Sequence, residues 1–311
     1  MKRLILMTML LAGLARPAFA EDENQNLVQV DDTFTKTKTW LSGRNLTLTG
    51  GTAGARDDNA AFSQEAILFY GEAIGNPNHK TPAQRELMAK RAAVVTAQRA
   101  LAEYLQGFAI VGDTLVKDGM AEYDVIRSAV SSFVKGSQVV FQEYSQEKDT
   151  AIAIIKIGMH GAKGFATAFY EKLNKDPKLK KEFATDKPTF KADPVKLDEA
   201  YDGLIIDATE QDFRPALINR IFAANGEVIY DPAKVSQKVL VDQGCGEYTN
   251  SIEKAKAALA SRNVKNPLIV KASGSANSSD LQLSDDDAVT VYSANRKGDF
   301  LAAAKVAFVL K

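Results

Sequence analysis

The chain predicts an α+β fold: a helix on an antiparallel sheet in its N-terminal part, followed by a second, mixed-sheet α/β domain. Three observations carry this. A long helical signature over 81–106 is followed by two strand-like runs joined by a polar loop, the ingredients of a helix-on-sheet unit. From residue 203 onward strand-like runs outnumber helical ones and their hairpins are local, which favours a mixed or antiparallel sheet over a doubly wound one. The 311 residues, 45% of them apolar, suffice for two ordinary domains with a good core.

The first twenty residues, MKRLILMTMLLAGLARPAFA, have the build of an export signal. Lys2 and Arg3 give a positive start, Leu4 to Leu14 an apolar run, and Ala18-Phe19-Ala20 a small-residue cleavage site. The run is too short to span a bilayer, and Arg16-Pro17 interrupts it. Cleavage after Ala20 is expected to leave the chain in the periplasm or at the outer-membrane periphery. No cysteine stands at the cut to take a lipid, and no later stretch reads as a membrane span.

Residues 21–60 are polar and read as a loosely ordered segment with one strand around Leu46 to Leu48. The helix-on-sheet module is assigned to 61–175. Thr81 caps its helix, Pro82 suits the first position, Gln84 completes a capping box, and Gly107 ends it. Leu87, Met88, Val94, Val95, Leu101 and Leu105 recur at helical spacing and are expected to be the buried stripe, with Arg85, Lys90, Arg91 and Arg99 mostly elsewhere. A second helix is expected over Tyr123 to Val134, then strands Val139 to Tyr144 and Ala151 to Met159, then a helix over Phe165 to Leu173. Residues 176–199 hold Lys178, Lys180, Lys181 and three prolines, and read as a solvated linker in preference to a patch for acidic surfaces or lipid headgroups.

The C-terminal domain, 200–311, opens with a buried strand over Gly203 to Ala208. Asn225-Gly226 joins Ala216–Ala223 to Glu227–Tyr230 in an expected type I′ hairpin. Further strands are expected at Lys238 to Val241, Pro267 to Lys271, Ala288 to Tyr292 and Ala302 to Leu310, with a helix over Ser251 to Ser261.

Charge is balanced at 39 basic and 39 acidic residues, and losing Lys2, Arg3 and Arg16 would leave 36 against 39. That balance argues against a nucleic-acid partner, which requires a basic excess. Cys245 is the single cysteine, so the fold rests on packing without an internal disulfide, and a buried thiol is the favoured reading over a bridge between two chains. His79 and His160 lack the spacing of a metal pair, and no nucleophile elbow, phosphate loop or paired-cysteine site is present, so no catalytic, cofactor or metal residues are assigned. Asp285-Asp286-Asp287 lacks the alternation of a calcium loop and reads as a helix start or exposed turn. Asp207, at a strand end, with Glu210, Asp212 and Arg214 nearby, is the one candidate ligand site, although Asp207 is better read as a turn cap. Trp40 either docks onto the fold or anchors a partner.

Two stretches carry a resemblance. G-E-A-I-G at 71–75 with the pattern R-A-A-x-x-x-A-x-R-x-L, borne by Arg91, Ala92, Ala93, Ala97, Arg99 and Leu101, resembles the N-terminal module of the Lpp-twenty lipoprotein family and of the flagellar protein FlgT. Y-D-G-L-I-I-D-A-T at 201–209, P-A-L-I-N-R-I at 215–221 and N-G-E-V-I-Y at 225–230 resemble a C-terminal domain that accompanies this module in secreted bacterial proteins. The resemblance implies a dodecin-like helix-on-sheet module in an exported protein of assembly or surface structure, with no catalytic residues to transfer.

The expected function is therefore a non-enzymatic periplasmic or outer-membrane-associated interaction protein, linked to flagellar or cell-surface structures. Its partners would be envelope proteins or further copies of itself, met through Arg85, Lys90, Arg91, Arg99, Lys178, Lys180 and Lys181. The alternative is a small-ligand-binding or hydrolytic protein with its polar site near Asp207 and Arg214.

Overall fold

The computed structural model describes residues 28–52, 54, 56–161 and 163–311. The export signal expected at 1–20 lies outside them. The expectation of a loosely ordered segment over 21–60 is corrected for its described part. Val28, Val30, Phe34 and Leu48 are buried against Leu68, Tyr70, Ile152 and Ile154, so the segment supplies the apolar cover for one face of a sheet. It forms α1 (Thr35–Ser42), β1 (Gly50–Gly51) and α2 (Asp58–Ser63). The backbone N–H and hydroxyl of Thr37 both donate to Glu143 at 2.7 Å, and Trp40 docks by stacking on Phe141 at 5.2 Å. The strand expected at Leu46–Leu48 is instead a loop. The Gln64 amide accepts from the Thr47 N–H at 3.1 Å and donates to the Thr47 carbonyl at 2.8 Å, taking the place of a strand ladder.

Next come β2 (Ala66–Ile74), α3 (Pro82–Gln106), β3 (Ala109–Val111), β4 (Thr114–Leu115), α4 (Val116–Glu122) and α5 (Asp124–Gly136). The hairpin β5 (Gln138–Ser145) and β6 (Thr150–Gly158) follows, then α6 (Phe165–Lys175) and α7 (Pro177–Glu182). One sheet runs in the order β1-β2-β6-β5, antiparallel except for the parallel β1–β2 pair. Thr81 caps α3 through the Gln84 N–H at 3.1 Å.

The buried stripe of α3 differs from the expected one. Ala89, Ala93, Ala97, Leu101, Tyr104 and Leu105 face inward, while Leu87, Met88 and Val95 are 52%, 39% and 46% exposed. The cause is close approach. A Cβ on Gly71 of β2 would stand 2.3 Å from both the Ala93 carbonyl oxygen and the Ala97 nitrogen, a backbone contact that small side chains on both elements permit. Over the stretch facing Gly71 larger apolar residues then have no room beneath the helix, and they enter the core only from Leu101 onward.

The C-terminal part consists of β7 (Gly203–Asp207), β8 (Ile221–Ala223), β9 (Val228–Tyr230), α8 (Gln237–Gln243), β10 (Glu247–Thr249), α9 (Ile252–Ser261) and β11 (Pro267–Lys271). It closes with β12 (Gly274–Asn277), β13 (Asp280–Leu283), α10 (Asp285–Gly298) and β14 (Val306–Val309). One sheet, β10-β14-β7-β11, is parallel throughout, and a smaller mixed sheet runs β12-β13-β8-β9. The whole is an α+β fold, but the expectation of a mixed or antiparallel sheet from residue 203 onward holds for the smaller sheet only, because the strands of the larger one are separated in sequence by helices and not joined by local hairpins.

Three local readings are corrected here. Lys238–Val241 belongs to α8, where the Ser236 hydroxyl accepts from the Val239 N–H. Ala288–Tyr292 belongs to α10, where Ser284 caps the helix and Asp285 to Asp287 sit in the first turn beside the positive helix end. The hairpin at Asn225-Gly226 forms, but its strands begin at Ile221 and Val228, and of its turn residues Gly226 takes the positive φ, 82°, so the turn is not type I′.

The 176–199 stretch docks as it crosses. Leu179, Phe183 and Phe190 are buried, and Phe190 and Pro188 bond the backbone of Val228 at 2.9 and 2.8 Å. Lys178, Lys180 and Lys181 remain exposed. One apolar core spans both parts: Phe62 lies 5.2 Å from Phe108 and 4.9 Å from Tyr248, which stacks on Phe308 at 5.2 Å.

Candidate functional site

The parallel sheet directs attention to its carboxyl edge, where open sheets of this kind bind ligands. A cleft of about 930 Å³ opens there. Tyr248, Thr249 and Asn250 at the end of β10 line it together with Leu310 and Lys311 after β14, α9 contributes Lys254, and Asn45, Thr47 and the start of α2 line it from the N-terminal segment. On the α9 side the Ser251 hydroxyl accepts from the Lys254 N–H at 3.2 Å, and the Lys254 ammonium donates to the Asn250 amide oxygen at 2.8 Å.

The opposite wall is charged. Asp58 is flanked by two guanidiniums, Arg56 at 2.9 Å and Arg214 at 2.9 Å. Arg56 also donates to the carbonyls of Tyr104 at 3.0 Å and Gly107 at 2.8 Å, and lies 4.4 Å over the Tyr104 ring. Both cations are thus turned onto Asp58. Asp57, one residue earlier, caps α2 by accepting from the Ala60 N–H at 2.8 Å. Burial, opposed in part by that bond, raises its pKa, and the neighbouring Asp58 charge adds to the rise. Burial likewise pushes the Tyr104 phenol well above its ordinary range, with the Asp58 charge second.

The four residues expected to frame a site are each held in a different way. Asp207 accepts from the Thr209 hydroxyl at 2.6 Å and the Thr209 N–H at 3.0 Å, bonds that hold its pKa down and make it a turn residue. Glu210 pairs with Lys271 at 2.5 Å, Asp212 is exposed, and Arg214 turns to Asp58. Of the interaction candidates, Arg85 pairs with Asp149 at 3.5 Å and Lys90 with Glu86 at 2.6 Å, while Arg91 and Arg99 lie exposed on the outer side of α3. Among the described residues, no group of three His, Cys, Asp or Glu side chains is placed to hold a metal. Nor is any helix of these residues long and apolar enough to cross a membrane.

Two further groups, one buried and one partly buried, lie away from the cleft. Cys245 places its thiol 3.4 Å from the Leu217 carbonyl. The His160 ring packs on Gly244, whose added Cβ would come within 2.5 Å of Cε1, and burial lowers its pKa to about 4.

Sequence reading passed over Arg56, Asp57 and Lys254. The signal available was the run Arg56-Asp57-Asp58-Asn59, four polar residues opening a short helix, and the Asn250-Ser251 cap before α9.

Residues 203–311 match the family model described as the second domain of Treponema pallidum Tp0624. The match takes in the parallel sheet, the floor of the cleft and Lys254, and stops short of the wall that carries Asp57 and Asp58. None of the curated proteins compared matches the chain.

Proposed function

We propose that this is a non-enzymatic, exported interaction protein of the cell envelope, acting in the periplasm or at the outer-membrane periphery in assembly or surface structure, as the lipoprotein and flagellar likeness implies. One observation carries the reading: α3 turns Leu87, Met88 and Val95 outward together with Arg91 and Arg99, an apolar and cationic face on the longest helix. Burying such residues against a partner is favourable, and the arginines would select an acidic one.

The test is crosslinked affinity capture of the tagged protein from intact envelopes, with the double variant Leu87→Glu and Val95→Glu beside the wild type. Recovery of identified basal-body or outer-membrane proteins by the wild type, lost in the variant, supports the reading. Equal recovery by both sinks it.

The second reading, a small-ligand-binding protein, is favoured by the cleft at the carboxyl ends of β10 and β14. In that reading Arg214 serves through its hold on Asp58.

A further inference from the structure

The N-terminal segment and α3 cover opposite faces of the first sheet. Leu68, Tyr70, Ile152 and Ile154 meet the segment, while their neighbours Gly71, Ala151 and Ala153 meet α3. Where α1 lies against the edge strand β5, the cover is incomplete. Trp40 stacks on Phe141 with ring centroids 5.2 Å apart, and both half-buried rings line a shallow, mainly apolar hollow of about 400 Å³. Its rim is cationic. Lys36 and Arg44 are exposed there, and the Arg44 guanidinium lies 4.9 Å over the Trp40 ring. Among the described residues no carboxylate lines the hollow. The acidic groups of the surrounding segment are committed elsewhere: Glu143 is buried and accepts from the Thr37 N–H and hydroxyl at 2.7 Å, Asp31 pairs with Lys148 at 2.8 Å, and Asp32 pairs with Lys38.

We propose that this hollow docks onto an anionic lipid surface, with Trp40 and Phe141 entering the headgroup layer and Lys36 and Arg44 meeting lipid phosphates. A half-exposed indole beside cations suits that layer, where the ring body meets apolar groups and its edge stays wet. Each lysine or arginine near the surface is drawn to anionic headgroups. Shape and composition favour lipid over a protein partner: the hollow is shallow, a headgroup layer moulds itself to the rings, and lysine is depleted in protein interfaces. The position has a consequence for α3. A chain seated through Trp40 holds the outer face of α3 on the far side of the sheet, away from the lipid and open to a partner. The two surfaces share no residue, so each reading can fail without the other.

Trp40 is the single tryptophan, so its emission reports on this hollow. The processed chain, beginning at Glu21 so that the apolar run at 4–14 cannot itself enter lipid, is mixed with vesicles of equal parts phosphatidylglycerol and phosphatidylcholine. Tryptophan emission is expected to move to shorter wavelength with these vesicles and to stay in place with phosphatidylcholine alone. Co-sedimentation measures the partitioning. Lys36→Gln and Arg44→Gln, both at exposed positions, should each weaken it about fivefold, and the double variant about twentyfold. Raising the salt to about 0.5 M should weaken it as well, by screening the same charges. Absence of co-sedimentation at millimolar lipid overturns the proposal. So does co-sedimentation with Trp40 emission unchanged, which places the contact elsewhere on the chain, such as the lysines of α7. An equal shift with phosphatidylcholine alone, or partitioning that the double variant leaves intact, overturns it too.

Discussion

Arg214 stands 2.9 Å from the carboxylate of Asp58, 156 residues earlier in the chain, and so ties the C-terminal part to the segment that precedes the first sheet. Asp58 is the shared partner, with Arg56 at the same distance and donating to the same carboxylate oxygen. Replacing Asp58 by Ala would leave two partly buried guanidiniums facing each other, whereas replacing Arg214 by Ala leaves Asp58 still neutralised by Arg56. We expect Asp58→Ala to cost about 2–3 kcal/mol and Arg214→Ala about 1 kcal/mol, the latter discounted because its side chain is a third exposed. Urea denaturation measures both. An equal cost for the two variants would show that Arg56 does not share the carboxylate.

Gly71 is expected to be intolerant. A methyl group there would press on the Ala93 carbonyl and the Ala97 nitrogen at 2.3 Å, and these are backbone atoms that cannot swing aside. Gly71→Ala should cost about 2–3 kcal/mol by forcing α3 off β2. A thermal midpoint unchanged from the wild type would mean that the helix rides higher than its alanine face implies.

The same contact explains what the sequence could and could not convey. Cap residues are local, so Thr81-Pro82 and Ser251 mark the starts of α3 and α9, and the polar loop at 145–149 marks the β5–β6 hairpin. The buried face of α3 is not local. Hydrophobicity ranks Leu87 and Val95 above Ala93, but the sheet beneath carries Gly71, and the choice of face follows backbone proximity across 22 residues. Apolar runs in 238–241 and 288–292 fit a strand as well as a short helix, and the capping serines at 236 and 284 decide between them. The cleft was illegible for a related reason: its lining joins Asn45, Thr47 and the start of α2 to Tyr248, Asn250 and Lys254, brought together when Phe62 packs on Tyr248. Asp207, by contrast, is legible as a turn residue from its position at a strand end, and it accepts from the Thr209 N–H.

The outward residues of α3 should be free of structural duty. Val95, 46% exposed, contributes little to the core, and Val95→Glu is expected to shift stability by no more than about 0.5 kcal/mol. Chemical denaturation checks this. A large loss would place Val95 in an internal contact and would remove the α3 face as a surface for partners.

His160 should make stability depend on pH in a defined window. Its ring is pressed on Gly244, away from water, with the Arg262 cation as a second force against protonation and Glu247 as a weaker opposing one, and its pKa falls from 6.5 to about 4. The unfolded chain therefore takes up a proton at higher pH than the folded one. The contribution to stability is fully present above about pH 6.5, declines as the pH drops toward 4, and is gone below the folded value, a total of about 3 kcal/mol. Carboxylates titrate in the lower part of this range, so the informative quantity is the difference between the wild type and His160→Gln. Denaturant unfolding at pH 7.0, 5.5 and 4.5 should show the wild type losing stability faster than the variant at each step. Parallel loss in the two proteins would mean that His160 is protonated in the fold, and that the space beside Gly244 is open to water.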